Sequence, residues 1–250
     1  MAFGLNQYVE AAVKNVTEYL KKRGEGLAAK AVTPMTSGYR PEIDIKPELG
    51  EEDAEYFQSL IGVLRWIVEL GRFDINVEAS MMSSHMEIPR EGHIQELLHV
   101  FAYLKKHMNT DMMFDRSDPV IYMNYFQRQD WSYSIYSLPG EYLKEALPPI
   151  MPKPLGHDFK IICFLDTNHA GESLTCRSRT RFIVMLNNAP IHWHSKKQNS
   201  VETSTFGSEM MAMKQAADYI RGFRYKLRFN VDLRAIATSH RGDGFSGENP

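Results

Sequence analysis

The sequence predicts an α+β fold: a small helical bundle followed by three antiparallel strands and a long helix. Three observations predict it. Through the first 110 residues, apolar positions recur at three- and four-residue steps, the period of half-buried helices. At 148–156, PPIMPKPLG places four prolines in nine residues, a density that regular elements exclude and that marks a boundary. Beyond it come short β-branched and aromatic runs joined by turn residues, then one more helical period. That order suits strands with a helix laid across one face.

The first helix opens at Asn6, a favourable N-cap, and NQYVEAAVKNVTEYLKKRG puts Val9, Val13, Val16 and Leu20 on one face. Lys21, Lys22 and Arg23 suit the negative end of that helix, and Gly24 can stop it. Residues 25–50 contain AVTPMTSGYRPEIDIKPELG, three prolines without a period, and read as a loop. The run Glu51-Glu52-Asp53 suits the positive start of a second helix, whose stripe is Phe57, Leu60, Ile61, Leu64 and Val68, ending at Gly71. A shorter helix is expected from Ile75 to His85. Another follows Pro89, marked by Ile94, Leu97, Leu98, Phe101 and Leu104 and closed by Lys105-Lys106. Helices this close in sequence can bury one another's stripes.

In the aromatic-rich segment 111–147, MMFD and VIYMNYF read as short strands, and Tyr122, Tyr125, Phe126, Trp131, Tyr133 and Tyr136 read as core or interface. After the linker at 148–156, FKIICFLD reads as a strand buried on both faces and RTRFIVMLN as a second. Asn187-Asn188 signals a tight turn into a third, APIHWHS. The helix SEMMAMKQAADYIRGFRYKLRF then presents Met213, Ala216, Ile220, Phe223 and Leu227 to the core. The expected divisions are thus a helical segment 1–110, the connection 111–147, the linker 148–156, a strand-and-helix unit 157–230 and a degenerate or disordered tail 231–250. In that tail AIATSHR makes a poor strand and SGENP is glycine-rich.

With 43% hydrophobic and 24% charged residues the composition is that of a globular protein. No apolar stretch reaches span length and MAFGLNQYVEAAVKN lacks a signal-peptide core. An intracellular location, cytoplasmic or nuclear, is therefore expected, with no membrane partner. Cys163 and Cys176 make no disulfide framework, and with scattered histidines they make a poor zinc site. His192 and His194 alternate on one strand and read as groove-lining. Residues 156–250 hold 13 Lys and Arg against 9 Asp and Glu, whereas the preceding part is acidic. A nucleic-acid partner for the second part is permitted.

One carboxylate closes a strand, Asp166, and one opens a helix, Glu209. Glu209 lies four residues before Met213, on the stripe expected to face the core. If the helix packs across the sheet and Asp166 ends a central strand, the two acids converge. Patterning leaves two readings open: a cap and a turn, or a pair of oxygen ligands for a divalent cation such as Mg2+.

The segments FLDTNHAG, RSRTRFIVMLNNAPIHWHSKKQNSVETSTFGSEMMAM and RYKLR resemble the ribonuclease H domain in the Pol polyprotein of copia-class retrotransposons. YFQSLIGVLRWIVELGRFDI, SSHMEIPREGH, AYLKKH and the earlier TPM are similar to the segment after the polymerase palm in the same polyproteins. The resemblance spans about residues 6–230, and its motifs come in order. It implies a thumb/connection-like segment, then a truncated RNase H-like βββα unit. It also implies two-metal Mg2+ hydrolysis of the RNA strand in RNA–DNA hybrids, with Asp166 and Glu209 as metal-holding catalytic acids.

Three departures qualify what carries over. The family's D-A-D is D-T-N, with Asn168 and then His169; Arg181 stands where the family has glycine; and only Asp243, in GDGFS, stands near the distance of a third acid. No Asp-Asp pair occurs, so no polymerase catalytic turn is present in the sequence. The expectation is a fragment of such a polyprotein, with little or no catalysis by itself. The alternative is a non-catalytic binding module, with Arg177, Arg179, Arg181, Lys196 and Lys197 on phosphates and Trp193 stacked on a base. Those residues read equally as a solvated basic face around a core tryptophan.

Overall fold

The computed structural model describes residues 2–4, 6–120, 148–151 and 159–239, with side chains described for 6–120, 148–151 and 159–228. The fold is α+β. Four helices, α1 (Asn6–Lys22), α2 (Glu51–Glu69), α3 (Asn76–Met82) and α4 (Glu91–Lys106), gather around one apolar core. Their buried positions are the expected stripes, from Val9, Val13, Val16 and Leu20 in α1 to Leu97, Phe101 and Leu104 in α4. Gly24, at φ 75°, ends α1 in the left-handed conformation that glycine alone enters without strain. The expected helix 75–85 is shorter, with 3-10 turns at Phe73–Ile75 and Ser83–His85 around α3.

Local polar devices fix the ends of these helices. At the start of α4 the His93 Nδ1 accepts the Arg90 amide at 3.0 Å, and the His93 amide donates to the Arg90 carbonyl at 2.9 Å. A Cβ on Gly92 would fall 1.7 Å from the Asp44 carboxylate, so the glycine makes room for that side chain. Arg72 is 2% exposed. It is held bidentately by Asp74 at 2.9 and 2.8 Å and donates to the His107 carbonyl, joining the ends of α2 and α4.

Asp111–Met113 forms strand β2, as MMFD suggested, and pairs with an unforeseen strand β1, Ala2–Gly4. VIYMNYF, apart from Val120, and the aromatics 122–136 lie outside the described residues. Three antiparallel strands follow: β3 (Ile161–Asn168), β4 (Arg179–Leu186) and β5 (Ala189–Lys197), in the order β3-β4-β5. Asn187, at φ 53°, makes the two-residue hairpin between β4 and β5.

Two strand expectations need correction. β3 is an edge strand among the described residues, not a central one. Nor is it buried on both faces: Cys163 and Leu165 pack inward, while Phe164, 64% exposed, shares the other face with Asp166 and Asn168. An apolar residue on the open side disguised the alternation.

The helix α5 (Thr205–Ser239) lies across the inward face, where Ala216, Tyr219 and Ile220 meet Phe182, Val184, Cys163 and Leu165. It runs through residues 231–239, where the sequence suggested a disordered tail, because neither glycine nor proline occurs between Gly222 and Gly242. The opposite face of β5 rests on α3, with Trp193 and Phe73 ring centroids 5.4 Å apart.

Candidate nucleic-acid interface

Strand register decides where the acids go. Asp166 on β3 stands directly opposite Arg181 on β4, and the Arg181 Nη2 donates to Asp166 Oδ2 at 2.7 Å. Side chains alternate along a strand, so this pair occupies the face turned away from α5. Glu209 is exposed on α5. Ala216 is buried as expected, but in the first turns the buried positions are Ser208 and Ala212, one before the expected Glu209 and Met213, and Met213 is 51% exposed. Small side chains seat the helix close to the sheet and leave the larger methionine outside. Asp166, paired with Arg181, and Glu209, exposed on α5, thus belong to different faces of the unit. Among the described residues no three His, Cys, Asp or Glu side chains gather as a metal site. Asp243 lies outside the described residues.

The first turn of α5 is held by a polar network that is largely buried. His169 Nδ1 and Ser208 Oγ are 2.7 Å apart, and Ser208 Oγ lies 3.0 Å from Ser178 Oγ. Ser178 also accepts the Ala170 amide. The Gln198 side-chain amide donates to Thr180 Oγ1 at 3.0 Å and to the Ser208 carbonyl at 2.9 Å. Ser178, Thr180, Gln198 and Ser208 thus draw the segments RSRT, SKKQ and GSEM to one point. Sequence reasoning missed this role because it read those segments for charge.

The basic residues divide. Arg177, Arg179, Arg181 and Lys197 line a cleft of about 170 Å³ between the sheet end and α3. Arg179 donates to Ser80 Oγ at 2.7 Å, Lys197 pairs with Glu172 at 2.6 Å, and Lys196 is exposed. Glu172 is held below the usual carboxylate range: burial raises it, but the hydrogen bonds from Lys197 and Thr175 outweigh that. His85, in the same cleft, is pushed down to about 4, mainly by burial and then by the neighbouring His93 and Lys197. It contributes no positive charge at neutral pH.

Trp193 is half-buried against Phe73 and the helical core. It forms, with Phe73, Val77, Phe164 and Ile183, a second cleft of about 310 Å³ that reaches Asp166 and Arg181. Phe73 and Phe164 escaped notice because they read as ordinary core positions. His192 and His194 turn to the α5 side, where His192 stacks on Tyr219 at 3.9 Å and His194 on Phe182 at 4.7 Å. Burial lowers both imidazole pKa values. Cys163 and Cys176 are free thiols. No helix among the described residues is long and apolar enough to cross a membrane.

The arrangement sets a basic cleft, which also holds Glu42 and Glu172, beside an aromatic one, with Val77 and Arg181 lining both. No protein-family model, curated protein or solved structure matches the chain.

Proposed function

We propose that the chain derives from a copia-class retrotransposon polyprotein and binds nucleic acid without cutting it. In this proposal a post-palm helical bundle is joined to an RNase H-like βββα unit whose ancestral activity was two-metal hydrolysis of RNA in RNA–DNA hybrids. The motif order and the antiparallel strand-strand-strand-helix arrangement support that descent. The observation that carries the non-catalytic part is the Asp166–Arg181 pair, which engages the carboxylate with an internal cation on the face away from α5. Two-metal hydrolysis requires carboxylates that converge on both ions, and Asp166 and Glu209 face different ways. The cluster of Arg177, Arg179 and Lys197 at one sheet end supports a phosphate-bearing partner.

The test is binding of a labelled RNA–DNA hybrid by the full chain as salt is raised. Binding is expected to weaken with a log–log slope of about −2 to −3, as for two or three phosphate contacts. Arg177→Gln should reduce that slope by about one. Absence of binding at low salt, or binding indifferent to salt, contradicts the proposal.

A further inference from the structure

We propose that the two clefts form one nucleotide site, taking a base in the aromatic cleft and its phosphate in the basic cleft. The inference rests on the nucleic-acid reading above and goes further, to a single nucleotide at a defined place. The two clefts share Val77 and Arg181 in their linings, so they adjoin.

In the larger cleft, Phe73 and Trp193 lie with ring planes 36° apart, and Phe164 stands exposed on β3. Planar heteroaromatic rings bind such surfaces by stacking, with little dependence on which base is present. At about 310 Å³ the space falls at the lower end of small-ligand sites. Its polar boundary suits a base edge, which carries donors and acceptors side by side. Asp166 offers carboxylate oxygens as acceptors. The Arg181 Nε is buried without an acceptor among the described residues, and the Arg181 side chain lines this cleft.

In the smaller cleft the charges do not cancel. Of its two carboxylates, Glu172 is paired with Lys197, and Glu42 accepts the Ser173 amide at 3.0 Å with Arg40 3.9 Å away. Arg181 is engaged by Asp166. Arg177 and Arg179 remain without a carboxylate ion-pair partner among the described residues. Two guanidinium groups beside an aromatic cleft are the recognition chemistry of a nucleoside monophosphate. A free nucleotide and one unit of a single strand share that chemistry.

The experiment is calorimetric titration of the full chain with guanosine monophosphate, ribose 5-phosphate, inorganic phosphate and a short single-stranded oligonucleotide. Guanosine monophosphate is expected to bind about tenfold or more tightly than ribose 5-phosphate or phosphate, the difference being the stacked base. Phe164→Ser, at an exposed position that does not hold the core, should lose about tenfold for the nucleotide. Arg177→Gln should weaken nucleotide and ribose phosphate alike. Competition between oligonucleotide and nucleotide assigns the site to a strand, and nucleotide binding without it assigns a free nucleotide; both support the site. If the hybrid duplex binds but the nucleotide neither binds nor competes, the site is overturned and the broader nucleic-acid reading stands. If none of these binds, both fall. Equal affinity for nucleotide and phosphate, or unchanged nucleotide affinity in Phe164→Ser, also overturns the site.

Discussion

Arg181 changes the chemistry of its neighbourhood with one contact. Its ion pair with Asp166 is partly open to solvent, 38% and 69% exposed, so it contributes at most about 1 kcal/mol to stability. Its consequence is electrostatic: a fixed positive charge sits against the carboxylate that a metal would need. Arg72 is the opposite case, a buried guanidinium whose three hydrogen bonds tie two helix ends together. Arg72→Met leaves the Asp74 carboxylate and the His107 carbonyl without that partner. It should destabilise the chain by about 2–4 kcal/mol, measured as a lower urea midpoint at unchanged slope. A loss below about 0.5 kcal/mol would show that the arginine only fills space.

Among the elements, α5 is the one whose placement decides the functional account. Ser208, Ala212 and Ala216 are its buried small residues, and Ala216, Tyr219 and Ile220 pack on the sheet. Ala212→Leu should force the helix outward and cost about 1–3 kcal/mol, whereas Met213→Leu, one position on, should be within about 0.5 kcal/mol of neutral. Thermal melts of the two variants check this; equal losses would return Met213 to the core. The same contact explains why the site was only partly legible. Val9 to Leu20, Phe57 to Val68 and Leu97 to Leu104 carry their period in large side chains, so α1, α2 and α4 could be read directly. In the first turns of α5 the buried positions are serine and alanine, which carry little hydrophobic signal, and the exposed Met213 carries more. Ala216 and Ile220 were placed correctly, but the first turns were misplaced by one residue, which pointed Glu209 inward. The direction of Asp166 depends on cross-strand register, which local sequence does not encode.

Across the whole molecule, the sheet and the helical core are joined through α3, by Trp193 on Phe73 and by Arg179 on Ser80. His85 lies in that junction, beside His93, Lys197, Glu172 and Glu42. Its folded pKa of about 4 is below the ordinary 6.5, so the unfolded chain binds the proton more readily. Its stabilising contribution is therefore full above about pH 6.5 and is lost as pH falls toward 4. His192 and His194 act in the same direction, while Glu78, raised by burial, opposes them. Urea unfolding should show about 1–3 kcal/mol less stability at pH 4 than at pH 7, and His85→Gln should flatten that slope. A wild-type profile flat between those values would mean that the junction is open to water.

The central claim is that Asp166 belongs to a binding surface and not to a hydrolytic centre. The measurement that tests it most directly is incubation of the full chain with a labelled RNA–DNA hybrid and magnesium, alongside Asp166→Asn. The hybrid is expected to remain intact with both proteins. Cleavage by the wild type that disappears in Asp166→Asn would contradict the account.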